Sequence, residues 1–462
     1  MSPNPHSPLT LSSAFRLAPD VQLALVGAGG KTSAMFQLAR ELMENSPLVL
    51  VTTTTHLGRN HVNFADYHLI LSETECVPVD SMDKKGIYCL TGNFDDVAER
   101  WKGLDSPQLE QLSHSARQKQ VPLLIEADGS RRLPLKAPAK HEPVIPNFVD
   151  LVVVVAGLNG LYQTLNSEWV HRPEVFSLLS GLPYGSLITP QALAKVLCHP
   201  DGGLKGIPKR SRRLCLLTHA DSIERQAQSR QLSELLQPCF ESVVVTSYPN
   251  SEGLSNHEPL YRINAVHEKI AAIVLAAGAS QRFGQPKQLL KWKGETLVHH
   301  AARIAVEADL KPVLVVCGAD YQKVQDAVSD LPVTAVINQN WQAGQSTSIQ
   351  VGLQALPPYI GGVIFVLADQ PFVTPAVLRL LVDQHSHNLA SIIGPLVEGK
   401  RGNPVLFDQR TFPDLQKLQG DIGGRALFDR YPPLWLPWHD ARLLIDIDTP
   451  QTYQNLLEYD PE

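Results

Sequence analysis

Short runs of Val, Leu and Ile alternate with helix-length segments along most of the 462-residue chain. Such runs are typical of strands buried on both faces, and helix-length connections between them predict parallel pairing. The sequence therefore predicts α/β architecture. Because one hydrophobic core seldom grows beyond about 250–300 residues, we expect two or three domains. The candidate strands of the first half are residues 22–26, 48–51, 121–125, 151–155, 214–217 and 242–245.

The chain changes character at residues 247–265, where SYPNSEGLSNHEPLYRINA is polar and rich in turn-forming residues. No strand period is visible in this stretch, and a new strand, loop and helix begin at Ile270. We therefore predict a domain boundary here, with residues 1–265 forming the first domain and residues 266–462 the second. The first is expected to be P-loop-like or Rossmann-like with a parallel sheet, and the second a Rossmann-like α/β domain.

Composition excludes several classes of partner. The net charge of −6 gives no electrostatic footprint for nucleic acid, and no apolar run approaches the roughly 18 residues of a membrane span. The N-terminus lacks a signal-peptide pattern. We expect a cytoplasmic protein without nucleic-acid or membrane partners. Its six cysteines show no C-x-x-C spacing and are predicted to be reduced thiols: Cys76, Cys89, Cys198, Cys215, Cys239 and Cys317.

The second domain begins with a strand that runs into the loop VLAAGASQRFGQPKQLL, residues 274–290. Gly278 and Gly284 lack the Cβ that would keep backbone N–H groups away from phosphates. Arg282 and Lys287 supply positive charge where a triphosphate is cleaved. The loop therefore predicts a site for nucleotide phosphates.

Acidic residues at two later positions favour a magnesium site. Asp369 ends the apolar run GGVIFVLAD, and Asp446 and Asp448 lie in LLIDIDT, which we predict to be a strand edge. Strand alternation places these last two on one face, and Asp448 is nearer the loop. Carboxylate oxygens suit Mg²⁺, so Asp369 and Asp448 are the predicted metal ligands. The alternative for Asp369 is a helix cap.

Three further segments are candidates for substrate recognition. Gln345 and Ser346 begin a predicted helix whose start can hold a base or ribose, and the alternative is an ordinary helix N-cap. The segments KRGNP and GDIGGR contribute Arg401, Asn403 and Arg425. Cations beside glycines suit an acceptor that carries phosphate, whereas the alternative is hairpin turn chemistry.

The first domain has its own glycine-rich loop, in which Gly29, Gly30, Lys31 and Thr32 separate a strand from a helix. This loop lacks the first glycine of a P-loop and the last glycine of a dinucleotide fingerprint. A helix N-terminus after such a loop still predicts phosphate binding. Asp128, in EADGSRR, is expected to join the site. The alternatives are a tight turn with an exposed lysine, and fixed ion pairs.

The stretch LAAGASQRFGQPK resembles the signature of the molybdenum cofactor cytidylyltransferases, the MocA-like branch of the nucleotidyltransferases, and the similarity extends to the C-terminus. The resemblance implies a nucleotidyltransferase fold that uses CTP, molybdopterin and Mg²⁺. Ala277 stands where guanylyl-transferring relatives usually have Gly, which implies cytosine. The resemblance assigns catalysis to Arg282, Lys287 and Asp369. It assigns nucleotide binding to Leu275, Ala276, Ala277, Gly278, Gln345 and Ser346.

The first domain resembles another family. GAGGKTS, TTTTH, EADGSRRLPLKAPAKHEPVIP and LTHADS match, in this order, the pattern of YqeC, an accessory protein associated with selenium-dependent molybdenum hydroxylases. This resemblance implies a nucleotide-binding accessory role and no particular reaction. A molybdenum hydroxylase apoenzyme is therefore a candidate partner.

The combined prediction is a transfer of CMP from CTP to Mo-molybdopterin with release of pyrophosphate, by a chain that also carries an accessory domain for hydroxylase maturation. Two alternatives stay open. One is a nucleotidyltransferase that acts on another phosphorylated small molecule. The other is a nucleotide-dependent protein that delivers the cofactor or acts as its chaperone.

Overall fold

The computed structural model describes residues 9–72, 79–248, 261–278, 283, 286–318 and 320–458. The chain divides into two compact units, one spanning Pro8–His267 and the other containing Glu268–Glu462. Both are built on sheets with parallel strands, which confirms the predicted α/β class. In the described part of the chain, no helix combines the length and the apolarity that crossing a membrane requires.

The N-terminal unit contains a nine-stranded sheet and two small sheets. Its strands are β1 Gln22–Gly27, β2 Leu48–Thr53, β3 His56–Gly58, β4 Tyr67–Ile70, β5 Gly86–Thr91, β6 Phe94–Asp95, β7 Arg100–Lys102, β8 Leu123–Glu126, β9 Leu135–Lys136, β10 Leu151–Gly157, β11 Val170–His171, β12 Arg212–Thr218, β13 Ser242–Ser247 and β14 Arg262–Glu268. The large sheet has the order β14-β13-β12-β10-β1-β8-β2-β5-β4, and every pairing from β13 to β4 is parallel.

The central strands of this sheet are buried along almost their whole length, as expected of parallel strands covered on both faces. Polar residues appear where these strands end, so functional side chains collect at the carboxyl edge of the sheet. The covering helices are α1 Leu11–Ala14, α2 Lys31–Leu42, α3 Ser106–Lys119, α4 Pro173–Ser180, α5 Pro190–Leu197 and α6 Ile223–Leu236.

Two predictions for this unit were wrong. The stretch 247–265 was expected to lack a strand, yet β14 begins at Arg262 and pairs with β13. Cys198 and Cys239 were expected to be reduced thiols, yet they form a disulfide bond between segments 41 positions apart. Sequence spacing does not reveal such a contact, because it depends on how α5 and α6 pack. Three other cysteines are free and buried: Cys89, Cys215 and Cys317.

The C-terminal unit contains a mixed eight-stranded sheet and a small hairpin. Its strands are β15 Ile270–Ala276, β16 Lys291–Trp292, β17 Glu295–Thr296, β18 Val313–Cys317, β19 Thr334–Ile337, β20 Gly362–Leu367, β21 Ile392–Val397, β22 Lys400–Arg401, β23 Val405–Asp408 and β24 Leu434–Pro437. The sheet has the order β19-β18-β15-β20-β23-β21-β22, and β24 pairs with β21. Its helices are α7 Leu297–Glu307, α8 Tyr321–Ala327, α9 Gln345–Gln354, α10 Pro375–Asn388, α11 Phe412–Leu415 and α12 Pro450–Glu458.

The strand order reverses between β15 and β20. From β15 the chain moves outward through β18 to β19, and then returns to the other side of β15 as β20, parallel to it. Open α/β sheets bind ligands at such a switch point, outside the carboxyl ends of the strands. Asp446 and Asp448 follow a short helical turn and lie outside any strand, so the predicted strand edge was wrong.

Candidate functional site

A cavity of about 690 Å³ lies at the carboxyl ends of β15 and β20. Its volume falls within the range of about 300–1,000 Å³ that is usual for small-molecule sites. The walls come from the ends of both strands, from the start of α9 and from two later loops. The lining residues are Leu275, Ala276, Ala277, Gly278, Phe283, Lys287, Gln288, Trp341, Gln342, Ala343, Gly344, Gln345, Ser348, Leu367, Ala368, Asp369, Asp421 and Asp448.

Lys287 is the charged centre of this cavity. Its ammonium group donates to Asp369 and, over 3.0 Å, to Oδ1 of Asp448. Burial alone would lower the pKa of Lys287, but the two carboxylates outweigh it and raise the pKa above the ordinary value. The lysine therefore stays charged, and it holds two carboxylates from distant loops at one point.

The loop after the last short helical turn is fixed to the end of β20. The backbone N–H of Ile447 donates to the carbonyl oxygen of Asp369 over 2.9 Å. On one side of this link, Asp446 accepts a 2.6 Å hydrogen bond from Gln370. On the other side, Asp448 faces Lys287. Asp448 therefore belongs to the cavity, whereas Asp446 supports its wall.

The strand β15 leads directly into the cavity, which its last residues and the following loop line. A Cβ placed on Gly278 would have no described atom within 4 Å, so the fold itself does not require glycine there. The missing side chain leaves room for a ligand instead. The predicted catalytic residue Arg282 lies outside the described residues, as does Gly284.

Two of the predicted nucleotide-binding residues lie at the start of α9, and only one of them lines the cavity. Gln345 lines the cavity. Ser346 is buried, and its hydroxyl donates to the carbonyl oxygen of Gly420 over 2.7 Å. Gly344, at φ 111°, allows the same loop to approach closely, since a Cβ there would lie 2.4 Å from the carbonyl carbon of Gly420. This loop also places Asp421 in the cavity wall.

The sequence reasoning did not single out Trp341, Gln342 or Asp421, all of which line the cavity. Trp341 approaches the end of β15 because Gly318 has no side chain in between. The usable signal was the segment NWQAG immediately before a helix that starts with glutamine and serine. Aromatic and amide side chains at such a place are well suited to a nucleotide base.

None of the three predicted acceptor residues lines the cavity. Arg401 is exposed, and its guanidinium lies 5.7 Å from the centre of the Trp435 ring. Arg425 is also exposed and follows the loop whose Gly423 packs against the Gln345 side chain. Asn403 is half-buried before a cis proline. Arg425 is therefore two residues away from Gly423, which lies against the cavity-lining Gln345.

A second cavity of about 300 Å³ lies at the carboxyl edge of the N-terminal sheet. Gly29 and Gly30 line it, but neighbouring atoms of the same unit leave no room for a side chain at either position. A Cβ on Gly30 would lie 2.0 Å from the Tyr261 hydroxyl, and a Cβ on Gly29 would lie 2.6 Å from the backbone nitrogen of Gly157. The lining residues are Gly29, Gly30, Lys31, Thr32, Ser33, His56, Leu57, Gly58, His61, Arg100, Glu126, Gly129, Ser130, Arg131, Arg132, Pro134, Asn159 and His219.

Lys31 and Asp128 belong to a buried ion-pair network. The Lys31 ammonium donates to the carbonyl oxygen of Gly27 over 2.6 Å and lies 3.1 Å from Asp128 and 3.8 Å from Glu126. Burial would lower the pKa of Lys31, but these carboxylates raise it. Asp128 also accepts from Lys136 over 2.8 Å and does not line the cavity.

The same network continues away from the cavity. Glu142 receives hydrogen bonds of 2.8 Å from both Lys136 and Arg172. Burial on its own would raise the pKa of Glu142, but the two cations hold it at about 2. Thr32 closes the network on the cavity side, where its hydroxyl donates to Glu126 over 2.7 Å. Burial, the largest influence on Glu126, raises the pKa of this carboxyl.

Comparison with known proteins identifies both units. Residues 272–434 match the MobA-like NTP transferase domain, so the C-terminal unit is a MobA-like nucleotidyltransferase domain. Residues 23–174 match the YqeC protein family. The uncharacterized protein YqeC of Escherichia coli (strain K12) is 32% identical over 216 residues, which are 47% of this chain and 81% of that protein. The chain belongs to the YqeC family, and both resemblances inferred from the sequence are confirmed.

Two further relatives match shorter parts of the chain. Nicotine blue oxidoreductase of Paenarthrobacter nicotinovorans is 29% identical over 199 residues, which are 41% of this chain and 96% of that protein. A probable molybdenum cofactor guanylyltransferase of Bacillus mycoides (strain KBAB4) is 27% identical over 140 residues, which are 30% of this chain and 66% of that protein.

Proposed function

We propose that the C-terminal unit transfers CMP from CTP to Mo-molybdopterin and releases pyrophosphate. The observation that carries the proposal is the meeting of Lys287, Asp369 and Asp448 in one cavity that Gly278, just after β15, also lines. The name of the guanylyltransferase relative supports an acceptor of the molybdenum cofactor class. Ala277 lines the cavity, and the resemblance to the cytidylyltransferases at this position supports cytosine as the base.

In the proposed reaction, a phosphate oxygen of the acceptor attacks the α-phosphorus of CTP. A new P–O–P bond forms, the bond to the β-phosphate oxygen breaks, and pyrophosphate leaves. The attacking phosphate is already ionised at neutral pH, so no strong general base is required. The contribution of the protein is therefore positioning and stabilisation of charge.

Lys287 is the residue that supplies this charge within the described part of the cavity. Its ammonium stays protonated because two carboxylates raise its pKa, and it can turn from them to the phosphates of a bound nucleotide. Gly278 leaves space for the phosphates beside the end of β15. Arg282 is proposed to share this role from the same loop. Gln345, at the start of α9, is proposed to bind the base or ribose.

Asp369 and Asp448 fit a divalent cation. Both are hard oxygen donors, and their oxygens converge on one point because both contact the Lys287 ammonium. We propose Mg²⁺ as the ion; when bound, it would neutralise charge on the phosphates. Without the ion, the lysine ammonium offsets one of the two negative charges.

The acceptor is proposed to enter along the loop that carries Arg425, because this loop contacts both Gln345 and the start of α9. Arg401 and Asn403 are proposed to bind the more distant part of the acceptor. The N-terminal unit is proposed to serve maturation of a molybdenum hydroxylase. Binding of a purified apo-hydroxylase to this chain would support that role, and failure to bind would remove it.

The test is pyrophosphate release by the purified full chain with Mo-molybdopterin, Mg²⁺ and either CTP, GTP or ATP. We expect release with CTP, and a fall of about 10²–10³-fold in Lys287→Met. Lys311→Met is the matched control, because Lys311 also pairs with an aspartate, Asp309, but does not line the cavity. Release with GTP in place of CTP would contradict the proposed base.

Two other outcomes would redirect the assignment. Release of pyrophosphate with a different phosphorylated acceptor, and none with molybdopterin, would support a nucleotidyltransferase of other acceptor specificity. No release with any nucleotide would overturn the transferase proposal and favour a delivery protein. Because one relative is named an oxidoreductase, the assay should also include NADH and NADPH, which we expect to remain unconsumed.

A further inference from the structure

The buried network of the N-terminal unit is electrically balanced. Three cations face three carboxylates across contacts of 2.8–3.8 Å. Each acidic group that would be expected to bind a metal ion here is already engaged by a lysine ammonium. The cations are Lys31, Lys136 and Arg172, and the carboxylates are Glu126, Asp128 and Glu142.

The cavity next to this network has an excess of positive charge. Arg100, Arg131 and Arg132 line it, are exposed, and form no ion pair with any described residue. The pKa of His61, another lining residue, is lowered by burial and then by the charges of Arg132 and Arg100. Because the network below is already balanced, these arginines have no internal counter-charge.

One neutral feature of the same cavity complements this charge. The helix α2 starts here with no side-chain cap and no acidic residue in its first turn, so its first N–H groups remain available to an anion.

We infer that this cavity binds a phosphorylated small organic molecule of about nucleotide size, without a divalent metal. Arg131 and Arg132, with Arg100, hold the phosphate groups beside the start of α2. Lys31 and Asp128 support the site from below and do not bind the ligand. The inference goes beyond the proposed transferase activity and does not depend on it.

The test is calorimetric titration of the full chain with ADP and with inorganic pyrophosphate in EDTA. We expect one ADP site per chain, with weaker binding of pyrophosphate. Loss of one charged hydrogen bond costs about tenfold in affinity, so Arg131→Gln/Arg132→Gln should weaken ADP binding by tenfold or more. Gln retains the Cβ, so the left-handed backbone at both positions carries the same cost as before.

Two controls separate this site from others. Arg210→Gln/Arg213→Gln removes the same charge from exposed positions that do not line the cavity, and should bind ADP normally. Lys287→Met alters only the C-terminal cavity and should also bind normally. The inference would be overturned by binding that needs Mg²⁺, by binding lost in Lys287→Met, by an unchanged Arg131→Gln/Arg132→Gln variant, or by no binding in EDTA.

Discussion

Lys287 donates a hydrogen bond to Asp448 over 3.0 Å, although the two residues lie 161 positions apart in the chain. The same ammonium contacts Asp369, which is 82 positions away. The charged centre of the candidate site is therefore assembled from three loops that meet only in the folded unit.

The two aspartates near the C-terminus should differ in their effect on activity. Asp448→Asn should lower the rate of pyrophosphate release by about 10²–10³-fold, because Asp448 faces the cavity beside Lys287. Asp446→Asn should have a much smaller effect, since Asp446 bonds to Gln370 and does not line the cavity. Rates at saturating CTP, measured on both variants, check this. Equal losses would contradict the assignment of Asp448 as a ligand.

Gly278→Ala should separate activity from folding. The added methyl group meets no described atom within 4 Å, so the melting temperature should stay unchanged. The same methyl occupies space proposed for phosphates, and the turnover rate should fall by about tenfold or more, the equivalent of about 1.4 kcal/mol. Gly129→Ala is the matched control, because its Cβ also meets open space but lies in the other unit. A normal rate in Gly278→Ala would argue against phosphate binding there.

The buried network should make stability depend on pH. Because Glu142 has a pKa of about 2 in the folded protein and about 4.5 when unfolded, its contribution is complete above pH 4.5 and is lost as the pH falls towards 2. Glu142→Gln should therefore destabilise the N-terminal unit at neutral pH, by about 3 kcal/mol as for other broken buried pairs. Urea unfolding from pH 7 to pH 3 measures this. A difference from the wild type that does not shrink on acidification would contradict the network.

Several long parallel strands, and the strand-end position of Asp369, were predictable from the sequence. Apolar runs located β1, β2, β10 and β15, and Asp369 followed from its place after β20. The clustering of Asp369 with Lys287 followed from the rule that parallel strands present their carboxyl ends at one edge.

The sequence did not reveal contacts that depend on long-range packing. Trp341 enters the cavity because Gly318 leaves room for it, and Asp421 does so because Gly344 lets its loop approach α9. In each case the partner lies on another element, and no local pattern identifies it.

The most direct test of the central claim follows labelled CTP in the full chain with Mo-molybdopterin and Mg²⁺. With label in the α-phosphate, we predict that radioactivity appears in the pterin product, and that the product gains the mass of CMP. With label in the γ-phosphate, radioactivity should appear only in pyrophosphate. Transfer of the γ-label to the acceptor, or no transfer of the α-label, would contradict nucleotidyl transfer at the Lys287 site.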